Sequence, residues 1–348
     1  MKQVILDLCA IENCKVGLGE FSLQLGKHLL NQLSRLNDNG IDLKYIVPKG
    51  FKNAFGDDGR CIECSRIDRF ILRLKLKCDL FHSVHQYGRI KYLLGAKKTL
   101  LTIHDLNFIY EKKGNKIEKY RRKIGKQICN ADALTFISKF TKSDVERIYP
   151  EYKRYSEVIY NGVSDLTGYQ IPKDGEYLLH LSSLMPKKNP ELLVRMMEWL
   201  PDYKLLIVGN LDSKYAQNMK ALAENLPMKN VKFIGPVDDK QKAELYASCK
   251  MFLFPSLCEG FGLPPIEAMK FGKPVALSNL TSLPEVGGDV AFYWNNLEPE
   301  IMASELNNYL KNTVPDREAI KKRAAFFNWN NCAKQYAELY IKLLSEQF

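Results

Sequence analysis

Two glutamates in a loop rich in glycine and proline are the residues of this chain best suited to chemistry. Glu259 and Glu267 stand in the pattern E-x7-E within residues 254–275, FPSLCEGFGLPPIEAMKFGKPV. The apolar residues 251–254 predict a buried parallel strand before the loop, and residues 266–271 predict the start of the next helix. Because the loop would follow the carboxyl end of a strand, it would lie where open α/β sheets bind ligands.

The residue types of this loop predict a ligand that carries both phosphate and hydroxyl groups. Gly260 and Gly262 allow the backbone to approach a ligand, and the amides at the start of the helix favour an anion. Carboxylates suit such a place only where the ligand also offers hydroxyls, which they bind by charge-assisted hydrogen bonds. A sugar phosphate or a nucleotide sugar meets both conditions. The alternative for Glu267 is an ordinary acidic residue in the first turn of a helix, where the dipole favours it.

The segment 254–285 resembles the donor-site signature of the group 1 (family 4) retaining glycosyltransferases of bacterial polysaccharide synthesis. The similarity runs over nearly the whole chain, through TIHDL, VIYNGV and EGFGLPPIEAM, and is loose over residues 50–98. It implies the GT-B fold, an α/β architecture of two Rossmann-like domains with parallel sheets facing across a cleft. It also implies that a hexose of the mannose or glucose type moves from a GDP- or UDP-linked sugar to a glycan or lipid-linked acceptor.

The resemblance also implies roles for residues outside the loop. It places Gly17 and Gly19 of the sequence GLGE against the donor phosphate, and His104 of TIHD beside the donor sugar. It places Lys188, with Lys187 next to it, on the pyrophosphate. The nucleotide base would lie against the backbone of the strand and turn that contain Gly235.

Within the loop, the resemblance implies that the carboxylates bind hydroxyls and the backbone binds phosphate. The catalytic residues would be His104, Glu259 and Lys188. The remaining implied contacts are Glu267 with the ribose diol, the amides of Gly262 and Leu263 with phosphate, and Gly260 and Phe261 with the substrate.

Each motif outside the loop has a plainer alternative. A lone G-x-G pattern such as that at Gly17 can simply mark the start of a helix, which is predicted here over residues 21–36. His104 can be a structural histidine satisfied by its neighbours. Asn189 followed by Pro190 is an ordinary helix start, although two lysines just before it oppose the helix dipole unless an anion lies between them.

Strands alternate with helices along both halves of the chain, which predicts parallel sheets. At 348 residues the chain is longer than one hydrophobic core usually supports. We expect an acceptor-side domain over residues 1–165, a donor domain over 166–330, and a final helix over 331–348 that, by the resemblance, crosses back to the first domain. The predicted strands are 4–8, 43–47, 80–83, 99–103, 133–137, 158–160, 177–181, 204–208, 231–234, 251–254, 275–277 and 290–293.

The positive charge of the chain lies entirely in its first half. Residues 1–165 contain 30 lysines and arginines against 19 acids, a net charge of +11, whereas residues 166–348 contain 21 of each. Two basic stretches, 66–77 and 112–126, adjoin or interleave apolar side chains, a pattern typical of segments that bind an anionic membrane surface. The alternative is a solvated helix face. The absence of a nucleic-acid recognition motif argues against nucleic acid as a partner.

The sequence predicts neither a metal ion nor another cofactor. The nine cysteines are scattered, which fits a reducing, cytoplasmic compartment rather than a disulfide framework. Cys61, Cys64, Cys78, His82 and His85 could be read as a zinc site, but a second paired cluster is missing. There is no D-x-D sequence to hold a divalent ion on a diphosphate. With no apolar run approaching the roughly 18 residues that span a bilayer, we expect peripheral binding to the inner face of the plasma membrane.

The sequence therefore predicts a retaining, metal-independent hexosyltransferase in which the departing diphosphate is stabilised by dipoles and Lys188. An alternative enzyme is a nucleotide-sugar epimerase on the same fold, which would convert the donor without an acceptor. An alternative of another class is a membrane-docked protein that binds the sugar nucleotide and does not turn it over.

Overall fold

The chain forms two compact units in a computed structural model. The structure describes residues 1–14, 17–65, 67–88, 90–169 and 175–345. The first unit comprises Met1–Gly162 and Asn328–Phe348, and the second comprises Val163–Phe327. The chain thus passes between units after Gly162, three residues before the boundary that the sequence predicted near Asp165. Arg66, in one basic stretch, and residues 170–174, just after the predicted domain boundary, lie outside the described residues.

The first unit is built on a parallel sheet of seven strands in the order β3-β2-β1-β4-β5-β6-β7. The order reverses between β1 and β4, which makes a topological switch point there. The strands are β1 (Lys2–Asp7), β2 (Ile41–Pro48), β3 (Cys61–Cys64), β4 (Lys77–Ser83), β5 (Gly95–Ile103), β6 (Ala133–Phe136) and β7 (Tyr155–Val158). The helices of residues 1–162 are α1 (Gly17–Leu30), α2 (Leu33–Asp38), α3 (Asp68–Lys75), α4 (Phe108–Glu111), α5 (Asn115–Cys129) and α6 (Lys139–Ile148).

Three elements of the first unit differ from the sequence prediction. Strand β3 was not predicted, because CIEC is short and carries an exposed glutamate between its buried cysteines. Strand β7 ends at Val158, where the prediction had a strand begin. The helix predicted over 21–36 is two helices, α1 and α2, separated by a turn at Asn31 and Gln32.

The second unit is built on a parallel sheet of six strands in the order β10-β9-β8-β11-β12-β13. Its switch point lies between β8 and β11. The strands are β8 (Tyr177–Leu181), β9 (Lys204–Val208), β10 (Val231–Ile234), β11 (Cys249–Phe254), β12 (Val275–Ser278) and β13 (Phe292–Trp294). The helices are α7 (Pro190–Met196), α8 (Lys214–Glu224), α9 (Asp239–Ser248), α10 (Leu263–Lys270), α11 (Leu283–Gly287), α12 (Pro299–Asn312) and α13 (Arg317–Ala325). Strand β13 begins two residues later than predicted, because Gly288–Val290 forms a 3-10 turn.

The last helix, α14 (Trp329–Ser345), belongs to the first unit. Its apolar stripe packs against α1 in the core formed around β1, β2 and β4. Two of its tyrosines reach a polar network inside that core. The Tyr340 hydroxyl lies 2.7 Å from Nδ1 of His82, whose Nε2 lies 2.8 Å from Oγ1 of Thr102, and the Tyr336 hydroxyl lies 3.1 Å from the same Oγ1.

The predicted fold class, α/β with two Rossmann-like domains built on parallel sheets, is confirmed. Each sheet carries helices in its crossovers, and its strands are largely buried. Within the described residues, no helix is both long enough and apolar enough to cross a lipid bilayer.

Candidate functional site

Two loops meet at the switch point of the second sheet. The first follows β8 and contains Lys187 and Lys188 in a 3-10 turn, Pro186–Lys188. The second follows β11 and contains the first glutamate of the E-x7-E pattern. The carbonyl of Lys187 joins the loops, because it accepts hydrogen bonds from the Leu257 amide at 2.7 Å and from the Ser256 hydroxyl at 3.0 Å. The structure therefore brings these predicted residues together at the edge where parallel sheets bind ligands.

Lys188 and Glu259 form a mostly buried ion pair. The ammonium Nζ lies 2.6 Å from Oε1 of Glu259, and the Ser256 hydroxyl donates to the same oxygen at 2.6 Å. Lys188 also lies over the ring of Phe254, 5.3 Å from its centroid. An ammonium has three N–H donors, so this lysine can hold Glu259 and still donate to a second anion.

His180, which was not predicted from the sequence, contacts the same phenylalanine ring as Lys188. Its ring stacks on Phe254 with centroids 5.8 Å apart, and its two nitrogens contact the Leu253 carbonyl and the Ser182 hydroxyl. Burial lowers its pKa to about 4, so the imidazole is neutral at pH 7. Histidine within an apolar strand gives no sequence signal of such a role. In this geometry His180 ties the loop after β8, through Ser182, to strand β11, through Leu253.

The hydroxyl groups of Thr281 and Ser282 form hydrogen bonds with the backbone of the loop that contains Glu259. The Glu259 amide donates to Thr281 Oγ1 at 3.1 Å, and the Ser282 hydroxyl donates to the carbonyls of Glu259 and Phe261. Thr281 has a φ of 56°, a region that β-branched residues rarely occupy. Strained backbone of this kind persists where the surrounding structure enforces it, and it concentrates at functional sites.

The turn at the start of α10, which was predicted to bind phosphate, differs in detail from the prediction. The helix begins at Leu263 rather than at residue 266, and it carries Pro264 and Pro265 in its first turn. Proline has no amide hydrogen, so Leu263 is the only one of the first three helical residues that can donate to an anion. Gly262 has a φ of 118°, and a Cβ there would lie 2.9 Å from Leu283, which explains why glycine occupies the position.

Glu267, the second glutamate of the pattern, is also paired with a lysine. Lys242 on α9 places its ammonium 2.6 Å from Oε1, and the Tyr246 hydroxyl donates to Oε2 at 2.8 Å. Burial and the adjacent carboxylate raise the pKa of Tyr246 far above its usual value, so its hydroxyl remains a donor. Lys242 and Tyr246 could not be predicted from the sequence, because nothing in the local pattern connects α9 to a residue about two dozen positions away.

Phe261 and Gly235, which were also predicted to contact the donor, lie in unlike surroundings. The Phe261 ring is buried and packs edge-on against Phe327, so only its backbone is available to a ligand. Gly235 follows β10, at the edge of the sheet, and apart from its chain neighbours no described residue has an atom within 4 Å of the position where a Cβ would stand. The surface there is open, as contact between backbone and a base would require.

The other predicted site residues, Gly17, Gly19 and His104, lie in the first unit. A Cβ on Gly19 would lie 2.1 Å from the Asn13 carbonyl oxygen, whereas a Cβ on Gly17 would have no atom of the described residues, its chain neighbours aside, within 4 Å. Gly19 thus has a packing reason to be glycine, and Gly17 leaves open space at the start of α1.

His104 follows β5 and is nearly buried. Its Nε2 lies 2.9 Å from the Val84 carbonyl, which can only accept, so Nε2 carries the hydrogen and Nδ1 carries a lone pair. Burial lowers its pKa to about 4, and the Phe21 ring packs edge-on against it at 4.6 Å. His104 can therefore accept a hydrogen bond from a sugar hydroxyl, and it is neutral at pH 7.

The alternative zinc reading is not supported by the geometry. His82 is fully buried, and both of its nitrogens are engaged by hydroxyl groups. Among the residues that the structure describes, no group of three or more histidines, cysteines or acids could hold a metal ion.

Comparison with known families matches both halves of the chain. Residues 166–326 match the family described as "Glycosyl transferases group 1", and residues 25–165 match "Glycosyltransferase Family 4". The two matches adjoin and leave only the ends of the chain uncovered.

The relatives that match include O-antigen mannosyltransferases. The O-antigen chain mannosyltransferase B of Escherichia coli is 26% identical over 94% of this chain and 96% of its own length. The O-antigen chain mannosyltransferase RfbU of Salmonella typhimurium is 27% identical over 67% of this chain and 64% of its own. The serotype-specific mannosyltransferase WbdA of Escherichia coli is 34% identical over 51% of this chain, which corresponds to 23% of that longer protein.

Solved structures share the fold at low sequence identity. Sucrose-phosphate synthase from Thermosynechococcus elongatus has a TM-score of 0.78 at 18% identity, over 99% of this chain and 100% of that one. The HepE protein of Anabaena, in complex with UDP-glucose, has a TM-score of 0.71 at 16% identity, over 98% and 100% of the two chains.

Proposed function

We propose, because the chain belongs to the group 1 glycosyltransferases, that it transfers a mannose- or glucose-type hexose from a nucleotide sugar to a glycan or lipid-linked acceptor in cell-surface polysaccharide synthesis. One observation carries the proposal. Glu259 lies in the loop at the carboxyl edge of the second sheet, Glu267 lies on the helix that follows this loop, and each glutamate is paired with its own lysine. Carboxylates neutralised in this way can bind hydroxyls beside a diphosphate without repelling it.

The donor is a sugar linked to GDP or UDP. The mannosyltransferase relatives favour a mannose donor. The Anabaena protein of the same fold was crystallised with UDP-glucose, which favours the uridine nucleotide. Binding of the base through backbone near Gly235 fits both possibilities, since backbone groups leave little imprint in side chains.

In the mechanism we propose, the protein mainly stabilises the leaving diphosphate. Lys188 donates to it with the N–H groups that Glu259 does not use, and the Leu263 amide and the dipole of α10 add to the positive potential. Glu259 holds hydroxyls of the donor sugar near the reacting carbon. The acceptor oxygen bonds to the anomeric carbon on the face from which the diphosphate leaves, as the bond from that carbon to the phosphate oxygen breaks. The proton of the acceptor hydroxyl passes to the departing diphosphate, and the anomeric configuration is retained.

This mechanism needs no metal ion, because lysines and backbone dipoles supply the positive charge. We expect transfer to continue in EDTA at the rate seen without it. Complete loss of activity in EDTA, restored by Mn²⁺, would contradict metal independence.

A screen of nucleotide sugars for thermal stabilisation tests the donor, because a ligand that binds the folded state raises its stability by mass action. We expect one of the GDP- or UDP-linked hexoses to raise the unfolding temperature most. That donor is then incubated with the protein in the presence and in the absence of acceptor lipid. Conversion of the sugar without acceptor would indicate the epimerase, and binding with no turnover would indicate the non-catalytic alternative.

We also propose that the protein works at the cytoplasmic face of the plasma membrane through a surface on its first unit. Helix α3 has no buried residue, and its apolar side chains repeat at the spacing of one helical face. We call this surface the α3 patch. It consists of Ile67 (81% exposed), Phe70 (66%), Ile71 (47%), Leu74 (47%) and Leu94 (61%).

Charge beside the α3 patch fits an anionic bilayer. Arg69, Arg73 and Lys75 lie on the same helix. Helix α5 differs, because its isoleucines pack into the core of the unit while its many lysines and arginines are exposed. We therefore assign insertion between lipids to α3 and electrostatic attraction to α5.

A further inference from the structure

We infer that Lys242 and Tyr246 are positioning residues that hold Glu267 ready to bind the ribose of the donor. This inference rests on the proposed function, since it takes Glu267 to be the group that accepts hydrogen bonds from the ribose diol. The two residues lie four positions apart on α9, so they share one face of that helix. That face meets Glu267 in the second turn of α10.

The contacts restrain both oxygens of one carboxylate. Lys242 donates to Oε1 at 2.6 Å, and Tyr246 donates to Oε2 at 2.8 Å. A carboxylate restrained at one oxygen could still rotate, whereas one restrained at both has a fixed plane. Each oxygen also keeps a lone pair that can accept another hydrogen bond. The carboxylate is thus oriented to receive two neighbouring hydroxyls.

The choice of donors suits an ionised carboxylate beside a diphosphate. Lys242 cancels the negative charge that would otherwise repel the phosphates. Tyr246 is fully buried, and its raised pKa keeps it protonated, so it contributes a donor without adding charge. A capping box between Asp238 and Gln241 stabilises the N-terminus of α9. The helix that carries Lys242 and Tyr246 is therefore well ordered at the end nearer to Lys242.

A purely structural tie between α9 and α10 would use the same contacts, so the test must separate the two roles. The affinity for a nucleoside diphosphate and for its 2′-deoxy counterpart does so. Removing the 2′-hydroxyl deletes one of the groups that Glu267 binds and leaves the base and both phosphates unchanged. A structural role weakens both nucleotides equally, whereas a positioning role weakens the ribonucleotide more, because the deoxynucleotide keeps only one of the two hydroxyls that Glu267 binds.

The experiment measures dissociation constants of GDP and 2′-deoxy-GDP, and of UDP and 2′-deoxy-UDP, by calorimetry on the full chain. The pair that binds more tightly to the wild type is used. We expect the wild type to prefer the ribonucleotide about tenfold or more, as for loss of a hydrogen bond to a charged group. In Lys242→Met and Tyr246→Phe this preference should fall to about threefold or less, because the affinity for the ribonucleotide falls more than the affinity for the deoxynucleotide.

Two further variants serve as controls. Lys240→Met removes an exposed lysine from the same helix and should keep the wild-type preference. Lys242→Arg retains a cation and should keep most of the wild-type preference for the ribonucleotide. Thermal unfolding of each variant verifies that the second unit remains folded.

The outcomes separate this inference from the proposed function. A wild-type preference that both variants retain, or equal weakening of both nucleotides, would overturn the positioning role alone. Equal affinity of the wild type for both nucleotides would remove Glu267 from the ribose, and the positioning role with it. Failure of the wild type to bind any nucleoside diphosphate would overturn the proposed function itself.

Discussion

At the scale of single residues, the two glutamates should have separable effects on kinetics. Glu267→Ala removes hydrogen bonds to the ribose, which the donor makes before and during reaction, so KM for the donor should rise about tenfold to a hundredfold with kcat little changed. Glu259→Ala acts near the reacting carbon and frees Lys188, so kcat should fall at least about tenfold. Steady-state kinetics measure both. Small and equal effects of the two substitutions would contradict the assignment of this loop to the donor.

Two glycines of one turn provide a matched pair. In Gly19→Ala the new Cβ would meet the Asn13 carbonyl at 2.1 Å, so the start of α1 must shift, and we expect a loss of about 1–3 kcal/mol in the free energy of unfolding. Gly17→Ala has open space and should leave stability unchanged. Urea denaturation measures both values. A loss of activity in Gly17→Ala at unchanged stability would support contact with the donor, whereas a stability loss of similar size in both would contradict the packing difference.

At the scale of elements, α3 and α5 should contribute differently to membrane binding. Phe70→Ser and Ile71→Ser remove exposed apolar surface from α3, so binding to vesicles containing acidic lipid should weaken at every salt concentration. Replacing Arg121, Arg122 and Lys123 with glutamate should weaken it most at low salt, because charge attraction is screened over about 8 Å at physiological ionic strength. Co-sedimentation with vesicles measures the bound fraction.

Val314→Ser is the control for α3, because Val314 is 94% exposed but lies in the second unit. It should bind vesicles as the wild type does. If the wild type stays in the supernatant with acidic vesicles at low salt, the α3 patch has another role and a soluble acceptor becomes the better hypothesis.

The elements show how far the sequence alone could lead. Apolar runs such as 177–181 and 204–208 predicted strands with the correct bounds, since burial on both faces of a parallel sheet leaves a clear pattern. Strand β3 was not predicted, because four residues with one exposed glutamate give too little hydrophobic periodicity to indicate a strand. Within the candidate site, Glu259 was predicted from loop chemistry, and Lys188 was predicted from the resemblance to the family. Lys242 and His180 were not, because their roles depend on contacts between segments far apart in the chain.

At the scale of the whole molecule, three buried histidines should make stability depend on pH. Burial lowers the pKa of His82 to about 3 and the pKa values of His104 and His180 to about 4. In the unfolded chain they titrate near 6.5. Between these values the unfolded state binds more protons than the folded state, so the free energy of unfolding must fall as pH decreases through this range.

The window from pH 6.5 to about 5 isolates this effect, because most carboxylates titrate below it. We expect the midpoint of urea denaturation to fall steadily as pH decreases across that window. From pH 7 to 8 the three histidines should cause no change in the midpoint. A midpoint that stays constant or rises as pH falls from 6.5 to 5 would show that the three imidazoles are not held neutral.

The return of α14 to the first unit has a consequence for biosynthesis. Residues 163–327 are translated between Gly162 and the segment that completes the first core, which takes roughly 10–30 s at ordinary rates of synthesis. During that interval the side chains that α14 later covers, among them Leu29 and Tyr45, lack part of their packing. The nascent chain therefore presents an unfinished apolar surface while its later half is still being made, and it should depend on chaperones until the final helix emerges.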